Sequence, residues 1–366
     1  MTTTLQKKFA TAAKEMKAVL IERDEEIDLV LTALLCRENP LLVGPPGTAK
    51  SLLLDSVSKW VNGTTKKFSI LFTKFTAPEE VFGPISVMGL KEDKYRRVTT
   101  GKLPEADLAF VDEIFKGSSA INNTTLKIMN ERTFENGDGV FRKVPLLMLM
   151  AASNEFPGND DGGKELGAMF DRFLIRKKVQ PIRSRAGRDK LLWASGHIPK
   201  FSTHIDRAEI DQACEEAAGL DFTSDAKTVF THIIGELAKE GILPGDRRQF
   251  KSVGACRAYA YLCGADKVEA EHLVVLAHTL WDDPTEQPDK VLKIVTKNAT
   301  PAAQVVNDIL HTIEDVVAKS SPTESVPKLQ AIKREIEKLE KGPHRDKALA
   351  YVMESIKLQY DKVIGG

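Results

Sequence analysis

Apolar residues follow two rhythms along this chain, and the change from one to the other divides it. Over residues 6–36 they recur at helical spacing, with Leu20, Ile21, Ile27, Val30, Leu31, Leu34 and Leu35 supplying the apolar positions. Glu22-Arg23-Asp24-Glu25-Glu26 puts acid near the start of the second of these helices, where the helix dipole favours it. Short apolar runs then take over, at residues 41–43, 68–72, 108–111, 146–152 and 173–179, each separated from the next by polar or helical stretches. That alternation predicts an α/β sheet, mostly parallel and covered on both faces.

Beyond residue 180 the strand signals stop. Helical patterns fill residues 208–218, 224–240, 249–262 and 269–280, which places a boundary near residues 181–185. Asp283-Pro284-Thr285-Glu286-Gln287-Pro288 reads as a second linker. Three amphipathic stripes follow. The first is Val305, Val306, Ile309, Ile313, Val316 and Val317; the second is Leu329, Ile332, Ile336 and Leu339; the third is Leu349, Val352, Met353, Ile356, Tyr360 and Val363. Ser320-Ser321-Pro322 and Gly342-Pro343 break them, as in a small helical bundle.

The first apolar strand runs into Gly44-Pro45-Pro46-Gly47-Thr48-Ala49-Lys50-Ser51, with a helix expected from about Lys50. A strand, a Gly-rich turn and a helix in that order make a phosphate-binding loop credible. Backbone N–H groups of the turn would wrap the β- and γ-phosphates, helped by the helix dipole. Lys50 would add positive charge there, and Ser51 would offer a hydroxyl to Mg²⁺. Ala49 stands where the strict pattern has Gly; its methyl is tolerable if that residue is already helical.

Two further strand tips carry polar groups. Leu108-Ala109-Phe110-Val111-Asp112-Glu113 ends in two acids, which are costly next to a buried strand unless they work at its tip. Asp112 would hold the Mg²⁺ shell through water, and Glu113 would polarise the attacking water as general base. Leu149-Met150-Ala151-Ala152-Ser153-Asn154 ends in a residue that could position that water or touch the γ-phosphate.

Composition narrows the reading. The 366 residues suggest two or three domains. Lys and Arg total 52 and so do Asp and Glu, so no global field attracts DNA or an anionic membrane. The 4 cysteines form no Cys-x-x-Cys pair and no His cluster joins them, which argues against a zinc site or a disulfide framework. With no apolar leader after Met1 and no bilayer-length apolar run, a cytoplasmic protein is expected.

The three tips, in this order, resemble the AAA+ superfamily, and the flanking residues resemble its MoxR family, RavA type. The likeness spans about residues 15–285. It rests on Ile21-Glu22-Arg23, the loop with Ala49, Thr76-Ala77-Pro78-Glu79-Glu80-Val81-Phe82-Gly83-Pro84, Gly101-Lys102-Leu103-Pro104-Glu105-Ala106, Phe110-Val111-Asp112-Glu113-Ile114-Phe115-Lys116, Asn130-Glu131-Arg132-Thr133-Phe134 and Asp171-Arg172-Phe173-Leu174-Ile175-Arg176. The resemblance implies a five-stranded parallel αβα core over residues 1–182, an all-α lid over 183–285 and a C-terminal helical module over 286–366. It implies an ATP hydrolase assembled as a homo-oligomeric ring, usually a hexamer, with ATP and Mg²⁺ between subunits.

Residue by residue, the family's pattern makes Arg172 the candidate arginine finger for the neighbour's γ-phosphate. It makes Gly245-Asp246-Arg247-Arg248 the sensor-2 motif of the lid, with Arg247 preferred over Arg248 for contacting nucleotide. Ile21, Arg23 and Leu52 join the cradle at the nucleotide. Residues 85–100 resemble the helix-2 insert, a hairpin projecting toward the ring pore, made basic by Lys91, Lys94, Arg96 and Arg97 with Tyr95 beside them. Phe134-Glu135-Asn136-Gly137-Asp138-Gly139-Val140-Phe141 carries the turn chemistry of a second hairpin. The C-terminal stripes leave no room for the RavA type's β-rich insertion, so that type's partner does not carry over. Family members commonly act with a protein containing a von Willebrand A-type domain. A remodelling ATPase is therefore expected; a nucleotide-dependent scaffold and a DNA translocase are the alternatives, the last disfavoured by the neutral charge.

Overall fold

A computed structural model of the chain describes residues 3–62, 66–156, 166–167, 169–193, 199–300, 309, 312–313, 316–317, 320–337 and 343–364. Two helices come first, α1 (Thr4–Val19) and α2 (Asp24–Leu35). Thr3 caps α1 in a reciprocal box with Gln6, and α2 opens on Asp24, Glu25 and Glu26, as the dipole favours. The core continues with β1 (Pro40–Val43), α3 (Lys50–Trp60), β2 (Lys67–Leu71), α4 (Pro78–Phe82), α5 (Val87–Lys91), β3 (Leu108–Asp112) and α6 (Ser119–Glu131). A small antiparallel pair follows, β4 (Thr133–Glu135) with β5 (Phe141–Lys143), and then β6 (Met148–Ser153) and β7 (Ile175–Lys178).

Five strands form one sheet in the order β2-β3-β6-β1-β7, every pair parallel. β1 and β6 are buried along their whole length, as continuous apolar strands covered on both faces must be. The register Leu41↔Ala151 and Val111↔Ala151 brings the C-terminal tips of β3, β6 and β1 side by side. Ligands of open parallel sheets bind at such an edge, where strand order switches.

Helices follow the sheet: α7 (Arg185–Trp193), α8 (Arg207–Ala218), α9 (Ser224–Lys239), α10 (Asp246–Leu262), α11 (Gln287–Ala299), α12 (Pro322–Glu337) and α13 (Pro343–Ile364). Ala270–His278, expected as α-helix, winds as a 3₁₀ helix packed against α9, α10 and α11. Core and lid share one continuous apolar cluster running from Leu5 to Ala299.

Two expectations need correcting. The linker at 283–288 is a turn rather than a domain break. Asp283 accepts from the Thr285 N–H at 2.7 Å, and Gln287 Oε1 accepts from the Asp282 N–H at 2.8 Å. Beyond it, α11 buries Val291, Val295 and Ala299 in the lid, so the lid extends to Ala299 and the C-terminal module starts later than residue 286. That module has its own core of Ile313, Leu329, Ile332, Ile336, Ala348 and Val352. Val305 and Val306 of the first stripe lie outside the described residues. The second correction concerns the segment 85–100. It is not a stranded hairpin but a loop holding α5, closed by a single antiparallel bridge between Ile85 and Arg97.

Candidate active site at the strand tips

The loop after β1 is shaped by what its residues cannot avoid. A Cβ at Gly44 would meet Val179 O at 2.3 Å, so only glycine lets β7 pass so close. Gly47 takes φ +77°, a left-handed value. Ala49 takes φ 64°, ψ 21° and is the N-cap of α3, so it is left-handed and not helical as its methyl would prefer. A non-glycine residue there stores strain of about 1–2 kcal/mol. No side chain caps α3, which leaves the first N–H groups of the helix facing the loop.

Lys50 Nζ donates to Gly44 O at 2.7 Å and Pro45 O at 3.0 Å, and approaches Asn154 Oδ1 at 3.5 Å. Burial holds its pKa below the ordinary value, against the pull of Asp112 and Glu113. Thr48 closes the turn by donating its hydroxyl to Pro45 O at 2.8 Å.

The tips of β3 and β6 meet this lysine. Asn154 Nδ2 donates to Glu113 Oε1, so the β6 amide bridges the acid of β3 and the ammonium of the loop. Glu113 is only 6% exposed yet has φ 53°, a left-handed residue at the very tip of a strand. Such strain in a non-glycine residue concentrates where function requires it. Lys116 Nζ sits 3.2 Å from Glu113 Oε2. Asp112 is half-buried and accepts the Glu113 N–H at 3.0 Å through Oδ1. Its second oxygen and the exposed Ser51 hydroxyl accept no hydrogen bond among the described residues. One hydroxyl and one carboxylate beside an open cluster of N–H groups fit Mg²⁺ carried by phosphates, which takes few protein ligands and keeps its waters. Among the described residues no trio of His, Cys, Asp or Glu could hold a metal alone.

A cleft of about 450 Å³ opens beside the loop, lined by Ile21, Arg23, Pro45, Pro46, Gly47, Thr48, Ala49 and Leu52. It has the size and apolar character of a nucleoside pocket. Arg23 shapes it from behind. Its guanidinium donates to Thr48 O at 3.1 Å, Gln180 O at 2.8 Å and Glu22 O, so its donors are engaged by backbone. Sequence reasoning missed Pro181, Ile182, Arg188 and Leu191 on the other wall. Residues 181–185 read only as a boundary, and nothing in the pattern of α7 ties it to the cleft. Glu22 fixes that wall by accepting the Arg183 N–H at 2.8 Å and the Ser184 N–H at 3.0 Å.

Arg172 and Arg247 are elsewhere. Arg172 precedes β7, whose Ile175 pairs with Pro40, the first residue of β1. Arg247 reaches Asn130 Oδ1 at 3.4 Å, at the end of α6, whose neighbour Arg132 donates to Leu147 O just before β6. Both arginines therefore sit at the N-terminal edge of the sheet. Four residues of β1 separate that edge from the cradle by roughly 13 Å, beyond an arginine's reach. Arg172, Arg247 and Lys251 instead line a cavity of about 70 Å³, too small for a nucleotide. Arg247 thus lies away from the cradle of its own chain. Arg248 is 5% exposed and engaged with the turn that carries Arg172.

The two projections dock on each other. Asn136 accepts the Arg97 N–H at 2.7 Å and returns a bond to Arg97 O at 3.1 Å, and Gly137 passes Tyr95 too closely for any Cβ. Val87, Met88, Tyr95, Val140 and Phe141 stay exposed on this joint surface.

Comparison with known proteins gives the family. Residues 7–215 match the MoxR domain of MoxR-vWA-beta-propeller ternary systems, and residues 227–295 match an AAA lid domain. An uncharacterized protein of Methanocaldococcus jannaschii is 41% identical over 274 residues, covering 75% of this chain and 71% of that protein. The chaperone MoxR1 of Mycobacterium tuberculosis is 28% identical over 166 residues, 45% of this chain and 42% of its own. The crystal structure of a candidate ATPase from Cytophaga hutchinsonii superposes with a TM-score of 0.63 at 15% identity, over 80% of this chain and 94% of that one, a likeness of fold alone. The chain belongs to the MoxR family of AAA+ ATPases, with an α/β core and a helical lid.

Proposed function

We propose that this MoxR-family chain hydrolyses ATP with Mg²⁺ at a site divided between two copies of itself, and uses the cycle to remodel or assemble a protein partner. One observation carries the reading. The cradle, Glu113 and Asn154 meet at one edge of the sheet, whereas Arg172 and Arg247 occupy the other. A head-to-tail arrangement of copies would bring the two halves together and close as a ring, expected to be a hexamer.

In that arrangement Lys50 and the open N–H groups of α3 bind the β- and γ-phosphates. Ser51 and Asp112 would hold Mg²⁺, which when bound would offset charge on the phosphates. Glu113, oriented by Asn154, takes the proton of the attacking water, and Arg172 of the adjoining copy stabilises charge on the transferring phosphoryl group. Arg247 joins it from the lid.

The partner reading rests on the family, whose description joins MoxR domains to von Willebrand A and β-propeller proteins. The exposed apolar surface of the docked projections, flanked by Lys91, Lys94 and Arg96, is where a client would touch the ring. Within the family the RavA-type likeness, without its β-rich insertion, is supported by α12 and α13, which run as helices among the described residues. Among those residues no helix is long and apolar enough to cross a membrane.

Phosphate release per subunit, measured across a dilution series, tests the divided site. The rate should collapse on dilution as copies separate. A constant rate down to the monomer would overturn it. Glu113→Gln in ATP should capture the assembled form together with a von Willebrand A-domain protein.

A further inference from the structure

The turn that carries Arg172 is held by two arginines that also hold the lid. Arg248, in the first turn of α10, donates to Asp171 O at 2.8 Å, Asp171 Oδ1 at 3.0 Å, Leu174 O at 3.3 Å and Phe173 O at 3.4 Å. The same guanidinium donates to the lid carbonyl of Thr279 at 3.0 Å, and its Nε is 3.1 Å from Asp282 Oδ1. Arg176, fully buried in β7, repeats the pattern. It donates to Phe170 O at 3.0 Å and Phe173 O at 2.9 Å on the turn, and to Trp281 O on the lid. Its guanidinium stacks 3.9 Å from the Phe170 ring.

Between them these forks engage the carbonyls of Phe170, Asp171, Phe173 and Leu174, on both sides of Arg172. Ser252 extends the tie by donating to Thr279 Oγ1 at 2.8 Å. A planar five-donor fork buried among carbonyls fixes position as well as distance, which an ammonium cannot do.

We propose that Arg248 is a positioning residue that locks the Arg172 turn to the lid, so that a change in lid angle moves the finger toward or away from the neighbouring cradle. The proposal rests on the divided-site reading and adds to it how one subunit's nucleotide state would reach the next. Arg248 touches neither nucleotide nor its own cradle; it acts through Arg172.

The test is a double-mutant cycle on the assembled full chain, using Arg248→Lys, which keeps the charge and loses the fork, with Arg172→Ala. Arg248→Lys should lower kcat about tenfold or more while leaving KM for ATP and nucleotide affinity at the cradle unchanged. In the Arg172→Ala background it should cost nothing further, because the group it positions is gone. Asp171→Asn, which keeps the backbone carbonyls, should lower kcat less and also vanish in that background. An Arg248→Lys enzyme with wild-type kcat, or losses that multiply with that of Arg172→Ala, would overturn the positioning role while the divided site stands. Wild-type turnover by Arg172→Ala would instead overturn the divided site, and the lock with it.

Discussion

The two ends of the central sheet are tied to the lid by different chemistry. At the N-terminal edge, beside Arg172, Arg176 and Arg248 are 1% and 5% exposed and fill backbone carbonyls of both core and lid. Burial, then neighbouring Arg248, pushes the Arg176 guanidinium down to about 9, still charged at neutral pH, and Asp171 and Asp282 pair with both arginines. At the cradle end the tie is thinner. Glu25 of α2 meets His278 of the lid at 2.5 Å and also Lys177 of β7, with half of the Glu25 side chain in solvent. Exposed pairs contribute little and break easily, whereas removing one member of a buried, multiply bonded group is costly. The contrast puts the stronger tie between core and lid at the turn that carries Arg172, and the weaker one at the edge that carries Lys50.

The largest expected effect is at the cradle. Lys50→Ala should cut turnover by about 10²- to 10³-fold or more and weaken ATP binding with it, measured by phosphate release and nucleotide titration. Unchanged activity would remove the cradle from the account. Glu113→Gln should lower turnover by about 10²-fold or more while keeping affinity, because the amide retains the bond to Asn154 but cannot take a proton. Loss of affinity instead would make Glu113 a binding group.

Smaller effects probe the strain at the same end. Ala49→Gly relieves the left-handed alanine, offset by the unfolded-chain freedom of glycine, so thermal melting should show a gain of up to about 1 kcal/mol. Gly44→Ala should act in the opposite sense, since its Cβ would strike Val179 O. A destabilised Ala49→Gly chain would mean the loop conformation differs from the one described.

The smallest effect is at the thin tie. Burial would raise the Glu25 carboxyl, but His278 and Lys177 outweigh it and bring it from an ordinary 4.5 to about 2. The folded pKa is thus below the unfolded one. The contribution of the Glu25 carboxylate is present above about pH 4.5 and is lost as pH falls toward 2. Denaturant melts of Glu25→Gln should show less loss over that window than the parent chain. Parallel curves would show that the tie contributes nothing.

How far each end was legible follows from how each is built. The cradle is one contiguous segment, and Asp112, Glu113 and Asn154 end apolar strands, so local pattern carries them. Parallel pairing then places the three tips together, as expected from β3, β6 and β1 being neighbours. The edge beside Arg172 draws on Asp171–Arg176, Gly245–Arg248 and Trp281–Asp282, distant in sequence and joined only by the lid's packing. Two adjacent arginines in α10 look equivalent in a motif. In the fold Arg248 is buried among carbonyls, whereas Arg247 is exposed and reaches Asn130 Oδ1 at 3.4 Å. The hairpin expected at 85–100 failed for a local reason: Ser86 caps a short helix by accepting the Gly89 N–H at 3.1 Å. Asp-Pro and Gln-Pro at 283–288 marked a turn correctly but not a domain edge, because Val291 and Val295 commit the next helix to the lid.

The divided site is tested most directly by mixing two inactive chains, Arg172→Ala and Glu113→Gln. In mixed assemblies some intact cradles with Glu113 face an intact Arg172. Phosphate release should therefore return to a measurable fraction of wild type, greatest near equal mixing. Verified co-assembly with no recovered turnover at any ratio would contradict the central claim.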